Sequence, residues 1–123
     1  MAGTTARMSM TKTHSLYHIH EQIHAIAGAE QISKVEHHFD GAEVWLLVYE
    51  KYYFRTGSYN SLTVLLTEQD ERHTAEIIAT GGGGGIANIS YGANRKFAKE
   101  CIQALTEIGF TVETESEKEP WWQ

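Results

Sequence analysis

The sequence predicts an α+β fold of two layers, in which an antiparallel sheet of four or five strands carries the N- and C-terminal helices on one face. Two observations predict this class. Apolar residues recur at helical spacing towards both ends of the 123-residue chain, whereas they alternate with polar residues in the middle. Turn signals of hairpin length separate the alternating segments, so neighbouring strands are expected to run antiparallel.

The first helix is predicted from an apolar stripe that begins shortly after Thr13. Four apolar residues are spaced three, four and three positions apart and share one helical face: Leu16, Ile19, Ile23 and Ile26. Thr13 is a candidate N-cap, and Gly28 can end the helix in a left-handed turn. A single stripe means that the helix packs against one layer only.

The strands of the sheet are predicted between residues 33 and 80. Four segments are read as strands: 33–39, 43–55, 62–67 and 73–80. In 62–67 apolar residues alternate with threonine, so that strand has one apolar face. Asp40-Gly41 is a strong hairpin signal, because both residue types tolerate positive φ. Polar turns at 57–60 and 69–72 divide the later segments. Residues 86–91 fit either a fifth strand or a loop.

The second helix is predicted after Gly92. Its apolar residues are spaced four, four and three positions apart: Phe97, Cys101, Leu105 and Ile108. Gly109 marks its end. Because each helix carries one stripe, both helices are expected to cover the same face of the sheet.

The chain is predicted to be a single domain between two tails. Residues 1–12 are small and polar without periodicity, and we interpret them as a flexible tail. Residues 13–114 form the predicted α+β domain. Residues 115–123 are interpreted as an acidic tail that ends in Trp-Trp-Gln.

Composition and charge exclude several classes of function. A net charge of -6 argues against a nucleic-acid partner, since phosphate binding needs a cationic surface. The single cysteine excludes a disulfide framework, a cysteine-based zinc site and an iron–sulfur cluster. No apolar run approaches the roughly 20 residues of a membrane span, and the N-terminal residues lack an apolar signal stretch. The sequence therefore predicts a cytoplasmic domain without a membrane or nucleic-acid partner.

The central strand, 43–55, carries the leading functional prediction, because both of its faces are apolar. One set of side chains is assigned to the face under the helices: Val44, Leu46 and Val48. The opposite set is expected to form an open face: Trp45, Leu47, Tyr49 and Tyr53. Two helices with one stripe each cannot cover two faces, so the tails, a ligand or a second copy of the chain must cover the second. The first functional hypothesis is a non-enzymatic binding domain that forms a homodimer through this open face.

Several short motifs lie in and after this strand. Glu50-Lys51-Tyr52-Tyr53-Phe54-Arg55 is followed by Ser61-Leu62-Thr63-Val64, the Gly81–Gly85 run and Tyr91-Gly92-Ala93. In this combination, over roughly residues 44–105, the chain resembles a family of small uncharacterised bacterial proteins classed as a domain of unknown function. Tyr91 stands where a tryptophan is expected, and the glycine run lacks the serine of that loop. The resemblance implies a bacterial, intracellular protein and brings no catalytic residues.

The glycine run supports a second hypothesis, a small-anion or nucleotide binding protein, with or without catalysis. Consecutive glycines offer backbone amides with free φ and ψ angles, as an anion-binding loop needs: Gly81, Gly82, Gly83, Gly84 and Gly85. Arg95 and Lys96 are placed in the first turn of the second helix, where cations are unfavourable unless an anion is present. Arg55 completes the candidate set. No P-loop pattern accompanies the run, and residues 86–91 separate it from the helix, so a flexible loop or close backbone packing is the alternative.

Four histidines in or near the first helix are weak candidates for a metal site: His14, His18, His20 and His24. Within each pair, four residues of separation place both rings on one helical face. The two pairs, however, lie on nearly opposite sides of the helix and cannot form one four-ligand site. Solvated side chains are the favoured interpretation, so neither a metal nor a cofactor is predicted.

The other reactive residue types show no catalytic pattern. Cys101 lies on the apolar stripe and is interpreted as a core residue. Glu50 shares the face assigned to the core, so it must be paired, sit at a bulge or be functional as a general base. Pairing with Arg55, Lys51 or a tyrosine hydroxyl is the favoured interpretation. Without a triad or paired carboxylates, the sequence favours a non-enzymatic domain and leaves catalysis at the glycine loop open.

Overall fold

The computed structural model describes residues 3–81 and 87–118, with side chains given outside 87–91 and 117–118. Within these residues the chain forms six strands and two helices: β1 (Gly3–Thr11), α1 (Leu16–His24), β2 (Glu30–Phe39), β3 (Ala42–Tyr53), β4 (Ser58–Gln69), β5 (Arg72–Gly81), α2 (Ala87–Thr106) and β6 (Thr111–Lys118). Gly82 to Gly85 and the Trp-Trp-Gln terminus, both singled out in the sequence, lie outside the described residues.

The six strands form one antiparallel sheet in the order β2-β3-β4-β5-β1-β6. Both helices lie on one face of it. Trp45 and Tyr53 point to the same side of β3, and there Trp45 contacts His20 of α1 while Tyr53 contacts Phe97 of α2. The predicted α+β class is confirmed, with six strands rather than four or five.

The prediction of a flexible tail over residues 1–12 is wrong for the part that the structure describes, residues 3–12. Residues 3–11 form β1, which pairs with β5 along its whole length and with β6 on its other side. Every second side chain from Thr4 to Met10 is buried, and α2 packs against the strand. The buried positions hold threonine, alanine and methionine, so their alternation with polar residues is weak in the sequence. Only the neighbouring strands, which supply hydrogen bonds on both edges, make the segment a strand.

The predicted acidic tail at 115–123 begins inside a strand. β6 pairs antiparallel with β1 at the edge of the sheet, with a register shift between Arg7 and Met8. Its residues 111–116 are exposed, and Lys99 of α2 pairs with Glu115 at 3.0 Å. An exposed edge strand buries little side-chain area, so it can be as polar as a tail. Composition therefore did not distinguish the two.

The predicted hairpins are confirmed. Asp40-Gly41 joins β2 to β3, and Gly41 has a φ of 81°. Between β4 and β5, Asp70 and Glu71 adopt φ angles of 52° and 59°, which match the right-handed twist of a two-residue hairpin. The turn between β3 and β4 occupies residues 54–57, three positions earlier than predicted.

The helix α1 follows the predicted stripe but not the predicted cap. Ser15 rather than Thr13 is the N-cap, because its hydroxyl accepts a hydrogen bond from the His18 amide at 3.1 Å. The stripe is buried against the sheet: Leu16, Ile19, Ile23 and Ile26. The helix ends at His24, and Gly28 adopts a left-handed φ of 79° in the turn that follows.

The helix α2 begins at Ala87, five residues before the predicted start. Residues 87–91 therefore belong to the helix and not to a fifth strand or a loop. Arg95 and Lys96 lie in its third turn, not its first, so the predicted conflict with the helix dipole does not arise. Asparagine, serine and glycine occupy the first turns and form helices poorly, which explains the late predicted start. Three members of the predicted stripe are buried: Phe97, Cys101 and Leu105. The fourth, Ile108, is half-buried and lies beyond the helix, which ends at Thr106.

The two faces of β3 are the reverse of the prediction. The four side chains expected to form an open interface are buried under the helices: Trp45, Leu47, Tyr49 and Tyr53. The three side chains assigned to the core lie half-buried on the outer face: Val44, Leu46 and Val48. Alternation shows that the two sets point apart, but it does not say on which side the helices pack. The larger aromatic set fills the space between helix and sheet.

Candidate functional site

An open cavity of about 650 Å³ lies where β3 ends against the second to fourth turns of α2. One wall is formed by residues 51–56. The other is formed by four residues of α2: Gly92, Ala93, Lys96 and Glu100. A Cβ added at Gly92 would meet nothing within 4 Å, so this part of the helix wall is open. The volume is in the range of sites for small organic ligands.

Three cations and one carboxylate line this cavity. Lys51 is paired, since its Nζ donates to Glu100 Oε2 at 2.7 Å. Arg55 and Lys96 are exposed, and neither forms an ion pair with any side chain that the structure describes. The cavity therefore presents two positive charges that no described carboxylate neutralises.

Lys51 is held in place along its whole side chain. Its stem passes over Gly28, where an added Cβ would lie 3.3 Å from Lys51 Cε. Its Nζ lies 5.1 Å from the centroid of the Tyr53 ring and 6.0 Å from that of Phe97, within the range of cation–π attraction. Glycine at position 28 therefore allows the left-handed turn and also leaves room for the Lys51 side chain. Lys51 is a fixed part of the wall.

Tyr53 ties β3 to α2 beneath the cavity. Its hydroxyl donates to Glu100 Oε1 at 2.6 Å, so the two oxygens of Glu100 bind Tyr53 and Lys51 separately. Burial, and then the hydrogen bond and charge of Glu100, raise the pKa of Tyr53 far above its usual value. The phenol is therefore protonated at neutral pH and acts as a hydrogen-bond donor.

A row of polar side chains runs from the cavity wall into the core. Thr56 Oγ1 and Ser58 Oγ lie 2.7 Å apart, and Ser58 Oγ donates to Asn60 Oδ1 at 2.9 Å. The Asn60 amide donates in turn to Asn94 Oδ1 of α2. The last three side chains of this row are buried, where polar groups are costly unless hydrogen-bonded. The row therefore fixes the start of β4 against α2 directly behind the cavity.

Gly81 is the member of the glycine run that falls within the described residues. It ends β5 with a φ of 133°, and an added Cβ would lie 2.9 Å from Asn60 Cα and from the Tyr59 carbonyl oxygen. Close backbone packing, the alternative considered from the sequence, therefore accounts for this glycine. Because α2 starts at Ala87, the run precedes the helix more closely than predicted.

The structure brings together two of the side chains predicted to bind an anion. Arg55 and Lys96 line the cavity from its two walls. Arg95, predicted with them, is exposed on α2 outside the lining, and Gly81 is also outside it. Of the three cations predicted to bind an anion, Arg55 and Lys96 therefore line the cavity and Arg95 does not.

The four histidines near the first helix have separate surroundings. His14 Nε2 bonds to a backbone carbonyl oxygen at 2.9 Å, and the rings of His14 and His18 are in tilted contact with centroids 4.7 Å apart. His20 is buried, with its Nε2 2.7 Å from Gln31 Oε1. The ring of His24 lies 5.4 Å from that of His20. These four do not form a cluster of three metal ligands in the part of the chain that the structure describes.

One group of three possible metal ligands lies instead on the β2–β3 hairpin: Glu36, His38 and Glu43. His38 Nδ1 is 3.2 Å from Glu43 Oε1, and its Nε2 is 3.9 Å from Glu36 Oε1. Each carboxylate has a further partner, since Lys34 lies 3.1 Å from Glu36 and Trp45 donates to Glu43 at 2.9 Å. The contacts of His38 with Glu43, and of the two carboxylates with Lys34 and Trp45, therefore account for this group.

Two other residues weighed from the sequence have clear positions. Cys101 is a core residue as predicted, and burial raises the pKa of its thiol to about 12. Glu50 is exposed on the outer face, so the expectation of a buried, paired carboxylate there is wrong. The carboxylate that pairs with Lys51 and a tyrosine hydroxyl is Glu100. The reason is the reversal of the two faces of β3.

Four residues that build the site were not singled out from the sequence: Ser58, Asn60, Asn94 and Glu100. A signal existed for the two in β4. Their positions share the inner face with three buried aliphatic residues that follow at every second position. Polar residues in such a series indicate a buried hydrogen-bonding partner. The two residues of α2 had no such signal, because their partners are 34 and 47 or more positions away in the chain.

A comparison with protein-family models matches residues 1–109 of the chain to DUF6054, a family of unknown function. The chain belongs to this family. The DUF6054 match includes both helices, the strands β1 to β5 and every residue of the cavity lining. A search of curated proteins gave no match. Neither helix among the described residues is long and apolar enough to cross a membrane, while bacterial origin and a cytoplasmic location stay predictions.

Proposed function

We propose that this DUF6054 protein binds a small anionic ligand in the cavity between residues 51–56 and 92–100. The observation that supports the proposal is the pair Arg55 and Lys96, which reach the same cavity without a described carboxylate partner. The whole chain carries a net charge of -6, so two such cations at one opening have the opposite sign to the net charge of the molecule. A concave wall of one charge sign attracts ions of the other.

The chemistry of the lining favours binding over covalent catalysis. Tyr53 holds its proton because its pKa is raised. Cys101 lies in the core outside the lining, and burial raises the pKa of its thiol to about 12, so it is protonated at neutral pH as well. Lys51 is bound to Glu100 and is not a free amine. An anion in this cavity would therefore meet two exposed cations and a rigid, hydrogen-bonded wall.

Titration with inorganic phosphate at low ionic strength, followed by NMR, tests the proposal. We expect saturable shifts of backbone amides in 51–56 and 92–100. Arg55→Gln and Lys96→Gln should each weaken binding about three- to tenfold, since one partly exposed charge contributes on the order of 1 kcal/mol. Lys99→Gln is the matched control, because its ammonium lies on the same helix and pairs with Glu115. No saturable shift at the cavity, or equal weakening by Lys99→Gln, would contradict the proposal.

A second candidate function is self-association through the outer face of the sheet. It retains the predicted homodimer but moves the contact to the side chains that point away from the helices. The apolar part of this face spans β2 to β5: Val35, Val44, Leu46, Val48, Leu65 and Ile78. Ile78 remains 44% exposed, and both described helices lie on the other face.

The size of the outer face fits a second copy of the chain. Six strands about 4.8 Å apart, with at least eight residues each, cover roughly 750 Å², so the contact would use the whole outer face, including its charged part near β1 and β6. Each partner in a stable complex buries roughly 800 Å². Towards β1 the face carries Arg7, which lies 2.9 Å from Glu76 and 3.8 Å from Glu113, so this cation is already paired within the chain.

Sedimentation measured over a range of protein concentrations tests this candidate. We expect a reversible monomer–dimer equilibrium, and we expect Ile78→Arg to shift it to monomer by placing a charge in the apolar contact. Tyr17→Arg is the control, since Tyr17 is exposed on α1. A wild-type monomer at every concentration, or a dimer that Ile78→Arg leaves intact, would contradict self-association through this face.

A further inference from the structure

We infer that the anion held in the cavity is the single phosphate of a nucleoside monophosphate, whose base stacks on Phe54. The inference rests on the proposed function and adds the chemical class of the ligand. It comes from a second property of the same cavity, namely the aromatic rings beside its cations.

Three aromatic side chains cluster beside the cavity, where β3 ends and β4 begins. The ring of Tyr52 lies 5.0 Å from that of Phe54, edge to face, and 4.9 Å from that of Tyr59. Tyr52 and Phe54 are themselves part of the lining. Exposed aromatic rings are hydrophobic surface without a partner, and three together form a patch rather than a single exposed residue.

Phe54 is the ring that offers a free face. Its side chain is 89% exposed, the highest exposure among the large hydrophobic residues described. Because Tyr52 and Phe54 are nearly perpendicular, with an interplanar angle of 89°, Tyr52 supports Phe54 without covering both of its faces. Any nucleobase can stack on such a face, because every nucleobase is a planar ring with a π face.

The charges limit the number of phosphate groups. Lys51 is neutralised by Glu100, so Arg55 and Lys96 are the cations left for the ligand. A phosphate monoester carries a charge of about −1.5 to −2 at neutral pH, which two cations match. A triphosphate would bring about twice that charge to the same pair, next to the carboxylate of Glu100.

The residue proposed to stack on the base and the residues proposed to bind the phosphate are neighbours in the cavity wall. Phe54 and Arg55 are neighbours in the turn after β3, and Lys96 faces them from α2. Lys96 Nζ also lies 6.0 Å from the centroid of the Tyr53 ring, which holds the ammonium near the inner part of the cavity. A ligand with its base at the mouth and its phosphate between the walls meets both kinds of group at once.

Isothermal titration of the full chain with three probes tests the inference: adenosine monophosphate, ribose 5-phosphate and adenosine. We expect adenosine monophosphate to bind at least about tenfold more tightly than ribose 5-phosphate, the range that base–aromatic stacking supplies. Equal affinity of the two phosphates would overturn the ring inference and leave the anion proposal standing. Adenosine binding as tightly as its monophosphate, or no binding of either phosphate, would overturn the proposed function itself.

Variants at exposed phenylalanines separate stacking from folding. Phe54→Ser should lower the affinity for adenosine monophosphate about tenfold and leave that for ribose 5-phosphate unchanged. Phe39→Ser is the matched control, because Phe39 is an exposed phenylalanine on the β2–β3 hairpin, far along the sheet from the cavity. Equal affinities of wild type and Phe54→Ser for adenosine monophosphate would overturn the assignment of the base to Phe54. Matching thermal unfolding of the two variants shows that both remain folded.

Discussion

The two faces of the sheet are made from the same strands, yet their side chains have different surroundings. On the inner face, Leu47 is fully buried under the helices. On the outer face, Leu46, its neighbour in sequence, is half-buried among side chains of its own sheet. The comparison teaches that the position of a residue relative to the helix layer, and not its hydrophobicity, determines how much its burial contributes to stability.

Polar groups follow the same division. On the inner face, Lys51 and Tyr53 each bond to the same carboxylate, and the buried asparagines 60 and 94 bond to each other. On the outer face, Arg7 and Glu76 pair in solvent. The candidate site lies at the end of the inner face, where the hydrogen-bonded polar groups are next to the open cavity.

The largest expected effect compares two adjacent leucines. Leu47→Ala should lower the free energy of unfolding by about 2–5 kcal/mol, because it leaves a cavity under the helices. Leu46→Ala removes the same atoms from a half-buried site and should cost less than about 1.5 kcal/mol. Urea denaturation at low protein concentration measures both. Equal losses would mean that the outer face is covered as fully as the inner one.

A second pair of variants compares a largely buried ion pair with an exposed one. Lys51→Met should lower the free energy of unfolding by about 1.5–3 kcal/mol, since Glu100 loses a charged hydrogen-bond donor in a largely buried place. Lys99→Met, which removes the exposed pair with Glu115, should cost at most about 1 kcal/mol. If the two variants unfold at the same urea concentration, the ion pair of Lys51 with Glu100 contributes no more than an exposed one, and Lys51 is not held as firmly as its contacts indicate.

A third test uses pH on the inner face. Burial, with smaller contributions from Cys101 and Glu21, raises the pKa of Tyr49 to about 12, against about 10 in an unfolded chain. As pH rises above 10, the unfolded chain loses this proton first, so stability present below pH 10 should fall by roughly 1–3 kcal/mol towards pH 12. Tyr49→Phe should make this fall shallower in urea titrations at each pH. An unchanged slope in the variant would show that Tyr49 does not contribute to it.

The smallest expected effect lies on the outer face. Glu76→Gln removes an exposed partner of Arg7 and should change the free energy of unfolding by about 0.2–1 kcal/mol, and less at high salt. Thermal unfolding in low and high salt measures it. A loss of several kcal/mol would show that this part of the face is buried in solution, as the proposed dimer would make it.

The local elements were predictable where one signal was enough. The hairpin at Asp40-Gly41 and the stripes of both helices depend on residues a few positions apart, and the structure confirms them. The start of α2 was placed too late because its first turns hold poor helix formers, and packing outweighs that preference. Of the site, Arg55 and Lys96 were found as cations near the glycine run, whereas Glu100 was missed because its partners come from β3.

By itself, the sequence determined the class of fold, the hairpins and the two amphipathic helices, since these follow from spacing along the chain. Only the tertiary structure decided that residues 3–11 enter the sheet between β5 and β6, and that Trp45 rather than Val44 faces the helices. The physical reason is that a strand has two equivalent faces and two equivalent edges. Which of them is covered depends on elements that are distant in sequence, and so does the cavity that forms where that cover ends.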